Sequence, residues 1–317
     1  MTKKKYDVIV IGELNVDIIL NNLDSYPEIG KEKLAQSMNL TLGSSSAIFA
    51  CNLSSLGAKV AFIGNIGNDY FGQLVLDKLN EKGVDVRFIT KDQNLNTGAT
   101  IVLNFNNDRA MITYSGAMNS LTINDISEKT LELGNHLHFS SFFLQPGLKQ
   151  DIYKVFRMAK NLNMTTSFDM QWDPAEKWEM NYKEILPFVD VFLPNEKEIL
   201  NLTKESSIAE ALNNLSGYAN NILVKMGTKG SLLYYKGKTN FRQAYLNSEI
   251  ADAIGAGDSF NAGFIFKYIN HADLKECQEF GNLMGAINTT AAGGTTAFIN
   301  YENIMKVAKE KFGYQFE

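Results

Sequence analysis

Short β-branched runs alternate with amphipathic stretches along most of this chain. Tyr6 to Ile11 is an apolar run closed by Gly12, the pattern of a central parallel strand delivering a loop to one edge of a sheet. A second short strand is expected from Lys33. Gly43-Ser44-Ser45-Ser46 then opens a helix through Ala50, Leu53 and Leu56 to a stop at Gly57, with the serines supplying a cap. Lys59 to Gly64 reads as a strand, and Gly67-Asn68-Asp69-Tyr70-Phe71-Gly72 leads into a helix ending near Gly83. The rhythm breaks at Thr100 to Phe105 and Ala110 to Tyr114, which flank Asn106-Asn107-Asp108 as a β-hairpin. From His136 it resumes, with strands to Ser140, Thr165 to Asp169, Val189 to Leu193, Ile222 to Lys225 and Ser231 to Tyr235. Helices are expected from about Leu148 to Leu162, near Lys183, and in the long patterns that run to the C-terminus.

This alternation predicts an α/β fold: a doubly wound, mostly parallel sheet flanked by helices. The expected organisation is one domain over 1–317, with a small β-sheet lid made of segments about 17–42 and 99–115 inserted within it. No internal repeat, low-complexity tract or linker interrupts it.

Composition narrows the partners. The chain has 317 residues, 45% of them hydrophobic and 21% charged, with a formal net charge of -5, so no broad basic footprint for nucleic acid is expected and small molecules are the natural ligands. Cys51 and Cys277 lie in apolar, helix-like surroundings and read as buried free thiols. The run Val8 to Ile11 ends too soon for a signal-peptide core or a membrane span, which leads to the expectation of a reduced, cytoplasmic protein with no membrane partner.

The densest candidate chemistry is Ala251-Asp252-Ala253-Ile254-Gly255-Ala256-Gly257-Asp258, ahead of a helix through Phe260, Phe264, Ile265 and Tyr268. Closely spaced glycines let backbone N–H groups converge on an anion, and the helix N-terminus adds unpaired donors and partial positive charge. A carboxylate beside such a cradle is a poor phosphate ligand and a good base for an attacking hydroxyl, although Asp258 as a plain helix cap is the alternative. The pattern D-x-x-G-A-G-D, followed by a small residue and Phe, resembles the second signature of the PfkB carbohydrate kinases, the ribokinase-like family, and the resemblance runs from about Tyr6 to Ile299. It implies a ribokinase-like fold and an ATP-dependent kinase that phosphorylates a hydroxymethyl group of a sugar or sugar-like substrate. Asp258 would be the general base, and Gly255, Ala256 and Gly257 would form the hole for the transferred phosphoryl group. A nucleoside kinase, or a non-catalytic nucleotide or sugar sensor on the same fold, are the alternatives.

Pro194-Asn195-Glu196-Lys197-Glu198 follows a strand directly, and Asn195 and Glu198 share one helical face where they could hold hydrated magnesium. The same spacing is also a capping box. It is similar to the family's N-x-x-E motif, which implies that Asn195 positions phosphates and Glu198 the metal. Lys225-Met226-Gly227-Thr228-Lys229-Gly230 is a glycine-bearing turn that matches the family's nucleotide loop, assigning Lys225, Gly227 and Gly230 to ATP binding. Asn282 is the candidate for the adenine, with a solvated helical Asn as its alternative.

Asp17 is the best candidate for gripping two neighbouring hydroxyls, with an Asx turn as the bland reading. Asn15 and Asp17 match the family's N-x-D sugar positions, and Gly43 matches the start of its first signature. Arg109 in the hairpin is a candidate for substrate or phosphate, against a solvated charge. Asp252 is carried over beside the family's monovalent-cation loop, where an ion such as K+ would sit. Two positions depart from the pattern: Ser44 replaces the usual second glycine, and Ile48 replaces an Asn that contacts the sugar, which predicts an apolar patch in the pocket. A homodimer through the β lid is expected. No Walker loop or G-x-G-x-x-G is present, and His136, His138 and His271 form no metal-ligand pattern.

Overall fold

The computed structural model describes residues 4–105 and 108–315, so the hairpin turn at Asn106 and Asn107 lies outside the described residues. Along the chain the elements are β1 (Tyr6–Ile11), β2 (Asn15–Asn21), β3 (Ser37–Leu42), α1 (Ser45–Ser55), β4 (Val60–Gly67), α2 (Tyr70–Glu81) and β5 (Asp85–Asp92). Then come β6 (Gly98–Phe105), β7 (Asp108–Tyr114), α3 (Glu128–Leu131), β8 (Gly134–Ser140), α4 (Ile152–Asn161), β9 (Thr165–Asp169), α5 (Tyr182–Ile185) and β10 (Val191–Phe192). The last third holds α6 (Glu196–Thr203), α7 (Ile208–Leu215), β11 (Asn221–Lys225), β12 (Ser231–Tyr235), β13 (Lys238–Arg242), α8 (Ala256–Ile269), α9 (Leu274–Asn288) and α10 (Tyr301–Phe312).

Nine strands form one sheet in the order β13-β12-β11-β10-β9-β8-β1-β4-β5, parallel from β5 to β11 and antiparallel beyond. Alternation along β1 explains why both faces are covered. Ile9 and Ile11 enter the core beneath α4 and α7, whereas Val8 and Val10 enter the one beneath α1, α2 and α8. Strand order reverses at β1: the chain runs outward through β4 to β5, then returns to lay β8 on the other side. The carboxyl ends of β1 and β8 therefore diverge, which in open α/β sheets opens the ligand crevice.

The second sheet, β3-β2-β6-β7, is the expected lid element. Register puts Asp17 opposite Thr100 and Thr41, and Asn104 opposite Arg109, so Asp17, Thr100 and Arg109 share one face. Ile101 faces Ile112 on the other, where both are exposed.

Several expectations need correcting. The strand expected from Lys33 begins at Ser37, because its first ladder partner is Asn21. Three strands passed unread: β2, which begins ahead of the expected lid segment, and β5 and β13, which are both sheet edges. The sequences of the two edges, DVRFITKD and KTNFR, carry the charged residues that blunt an edge against further pairing, and these erase the hydrophobic signal of a strand. The helix near Lys183 is a single turn, and the signature helix starts at Ala256, two residues before Asp258. Cys51 and Cys277 are buried and free. Among the described residues no helix is long and apolar enough to cross a membrane.

Candidate active site

Helix α8 begins under an unusual constraint. Its N-cap Gly255 has φ +75°, and a Cβ there would sit 2.7 Å from Gly294 Cα, so both the backbone angle and the space demand glycine. Asp252 closes the loop ahead of it: its two oxygens accept from the backbone N–H groups of Ile254 (2.9 Å) and Gly293 (3.0 Å). Ile48, expected as an apolar patch in the sugar pocket, is 3% exposed and closes on Gly255 and Gly294 instead, beneath the turn. The amides of Gly255, Ala256 and Gly257 thus lie at the start of a helix apolar all round, buried against α1 and α9.

Asp258 sits in the first turn of that helix and is 7% exposed. It is not the N-cap, a position Gly255 holds, so the plain-cap alternative does not describe it. Burial, then the neighbouring Asp169 carboxylate, push its carboxyl up to about 8, against the lowering effect of Lys225. Lys225 Nζ ion-pairs with Asp169 Oδ2 at 2.6 Å and lies 3.9 Å from where a Gly257 Cβ would be, so the ammonium borders the amide cradle. Burial would lower this ammonium, but Asp169 and Glu198 outweigh burial and raise it, keeping it charged.

Asn195 and Glu198 form the complete capping box. Asn195 Oδ1 accepts from the Glu198 N–H at 2.9 Å, and the Glu198 carboxylate accepts from the Asn195 N–H at 2.8 Å and its side-chain amide at 2.5 Å. A cap alone does not require burial, yet Glu198 is 3% exposed, and burial followed by Asp169 raises its carboxyl to about 7. The capping residue therefore also belongs to the carboxylate cluster around Lys225.

At the opposite side, Asn15 donates from its side-chain amide to Asp17 Oδ1 and to Thr100 Oγ1, each at 3.1 Å. A Cβ at Gly43 would come within 2.3 Å of Asp17 Oδ1, so this glycine is the space in which the pair sits. Burial raises the Asp17 carboxyl to about 6, with Asn15 and Arg109 acting to lower it and Glu13 and Asp252 to raise it. Arg109 thus acts on Asp17 from the lid face they share.

Ser44 explains its own departure from the glycine pattern. It adopts φ +68°, a region that favours glycine, and is held there by donating from Oγ to the Glu13 carbonyl (2.6 Å) while accepting from the Ala47 N–H (2.9 Å).

Near β13 a cavity of about 410 Å³ is lined by Phe241, Arg242, Gln243, Tyr245, Glu279 and Asn282. Asn282 is 6% exposed, and its side-chain nitrogen is buried with no hydrogen-bond partner. Its burial sets aside the solvated helical Asn. Gly227 faces open space, whereas a Cβ at Gly230 would strike the Arg242 carbonyl, so Gly230 serves the approach of β13. No group of three or more His, Cys, Asp and Glu side chains among the described residues is placed to hold a metal ion. A magnesium ion would therefore keep several waters and come with the phosphates.

Three residues that the motifs did not point to stand at the crevice. Glu13 follows β1 at the switch point, is 2% exposed, accepts from Ser46 Oγ, and is raised by burial. Asp169 ends β9, and Gln171 follows it. Glu13 and Asp169 do carry a signal: each is an acidic residue closing an apolar strand at the edge where ligands bind.

A nine-stranded doubly wound sheet with a separate small sheet places the backbone amides at the start of α8 beside a buried carboxylate, an arrangement suited to phosphoryl transfer. The pfkB family carbohydrate kinase model matches residues 5–300, and the chain belongs to that family of kinases. Over 95% of its length the chain is 26% identical to a 5-dehydro-2-deoxygluconokinase of Lacticaseibacillus casei, covering 95% of that protein. Among solved structures, Thermotoga maritima ribokinase superposes with TM-score 0.82 at 26% identity over 96% of this chain and 100% of that one. Arabidopsis thaliana ribokinase, solved with ribose and ATP, gives TM-score 0.82 at 21% identity over 96% and 99%.

Proposed function

We propose that this carbohydrate kinase transfers a phosphoryl group from ATP to a hydroxymethyl group of a sugar or sugar-like substrate, with Asp258 as the general base. The observation that supports this most is the placement of a buried carboxylate beside the Gly255–Gly257 amides and the Lys225 ammonium. Asp258 takes the proton of the attacking hydroxyl, and the amides of Gly255, Ala256 and Gly257 stabilise charge on the phosphoryl in flight. Lys225 adds a fixed positive charge at the rim of the cradle. Asn282 and its cavity receive the base of the nucleotide, with Gly227 giving room along the phosphates. Magnesium offsets phosphate charge when bound, and Asn195 and Glu198 would hold its waters. Asp252, at the turn ahead of α8, is the residue beside which a monovalent cation would sit.

The test is ATP turnover with ribose, fructose, 2-dehydro-3-deoxygluconate and adenosine. One of the first three, a sugar or sugar-like acceptor, is expected to lead. Preference for adenosine would favour the nucleoside kinase, and no turnover with any acceptor would favour a sensor.

Glu198→Gln separates metal positioning from capping. We expect the magnesium concentration for half-maximal rate to rise while the melting temperature changes little. A variant whose stability drops by about 1 kcal/mol with an unchanged magnesium titration would leave Glu198 a cap only.

The outer face of the lid sheet, where Met38, Ile101 and Ile112 are 64%, 39% and 65% exposed, is the expected contact for a second copy of the chain. Sedimentation at micromolar protein should give a dimer, and a monomer would remove that contact.

A further inference from the structure

The base needs a partner that fixes it, and the crevice supplies one that no motif announces. Asp169, fully buried, gathers donors on Oδ2: Lys225 Nζ at 2.6 Å, the Asn261 side-chain amide at 2.5 Å and the Gln171 side-chain amide at 3.0 Å. The Gln171 backbone N–H reaches Oδ1 of the same carboxylate at 3.2 Å. The second N–H of that Gln171 amide group lies 3.0 Å from Asp258 Oδ1. One side-chain NH2 group thus spans two carboxylates on different elements, the end of β9 and the first turn of α8. Its orientation follows from Asp169, ion-paired with Lys225: turning the amide oxygen toward that carboxylate would set an acceptor against an acceptor.

The backbone shows that this contact is held at a cost. Gln171 has φ +60°, the left-handed region that a residue with a long side chain rarely occupies. Glycine would sit there without strain, but it would carry no amide to the carboxylates. Neighbouring turns keep the segment in place: Asp173 accepts from the backbone N–H groups of Ala175, Lys177 and Trp178.

Resting on the reading of Asp258 as the base, we propose that Gln171 is its positioning residue: the amide holds Asp258 Oδ1, leaves the other oxygen for the acceptor hydroxyl, and screens Asp258 from Asp169. The charged groups acting on Asp258 are Asp169 from β9, Lys225 from β11 and Glu13 after β1, and the Ser45 hydroxyl of α1 acts to lower its carboxyl. Removing the amide leaves the two carboxylates facing one another without a donor between them, so the rate should need a higher pH to reach its plateau.

The experiment compares Gln171→Leu, Gln171→Glu and Gln171→Gly with Asp258→Asn, using the acceptor that turns over fastest in the native enzyme. For Gln171→Leu we expect kcat about 10- to 100-fold lower, an ATP KM within about two-fold, and the rising limb of the pH-rate profile moved upward. Gln171→Glu, which keeps the shape and adds a third carboxylate, should move the limb further. Gln171→Gly relieves the backbone and should raise the melting temperature while losing rate like the Leu variant. If Asp258→Asn is inactive but the Leu and Glu variants keep both the native kcat and the native limb, Gln171 does not position the base. An active Asp258→Asn enzyme would overturn the base assignment itself, and with it this proposal.

Discussion

Asp258→Asn should abolish most turnover, by roughly 10² to 10⁴, while nucleotide binding is retained. Asn keeps the size and can still accept from Gln171, but it cannot take a proton from a hydroxyl. Tight geometry makes this a clean substitution: the residue is buried, in the first helical turn, and no lysine or arginine is directly paired with it among the described residues. The native rate should carry the signature of the same group. Because the carboxyl is pushed up to about 8, the catalytically competent base is the minority form at neutral pH, and kcat/KM should climb as pH rises through about 8. A pH-independent rate between 6 and 9, or near-native turnover in the Asn variant, would take Asp258 out of the chemistry. Fluorescence titration with ATP keeps the test honest, since a loss of binding would point to a collapsed cradle instead.

How much of this could be read in the chain depended on whether the interaction was local. The amide cradle, Asp258, the Asn195–Glu198 pair and Asn15 with Asp17 are each confined to a few consecutive residues, and the structure assembles each within one turn or strand. Central strands were legible because both faces are buried, which makes them continuous apolar runs. The edges β5 and β13 were not, for the opposite reason. Asp169, Gln171 and Glu13 were missed because what brings them to Asp258 is strand order: β9 stands beside β8, β8 beside β1, and the spacing in sequence between Gln171 and Asp258 says nothing of it. Ile48 was placed in the pocket by correspondence with a polar position, yet packing carries an isoleucine under the Gly255 turn, where backbone and Gly294 surround it. Ser44 shows the converse, a non-glycine residue in a glycine conformation made tolerable by two hydrogen bonds.

Stability should rise, not fall, as the pH is lowered from 8 to 6.5. A carboxyl whose folded value exceeds its unfolded one takes up its proton in the native state first, so falling pH favours the native state. Asp258 at about 8 and Glu198 at about 7 are such groups. Asp258 alone, half-protonated at pH 8 and approaching 1.36 kcal/mol per pH unit below it, contributes about 1.6 kcal/mol over that interval, a sizeable share of a typical stability. Below 6.5 an opposing pair enters. His136 and His138 are fully buried, with Ser167 Oγ 2.7 Å from a ring nitrogen of each, and His138 is stacked on Phe49 at 3.7 Å. Burial lowers both, His136 to about 3, so the unfolded chain accepts two protons there that the native core refuses. The rise must therefore flatten below 6.5. Urea unfolding at pH 8, 6.5 and 5 measures this shape directly. Asp258→Asn should lose about 1.6 kcal/mol of the gain between 8 and 6.5, and His136→Gln should steepen the profile below 6.5 by about 1.4 kcal/mol per pH unit. A native profile that falls steadily from pH 8 would mean that Asp258 and Glu198 are ionised in the empty crevice, with Lys225 outweighing burial at both.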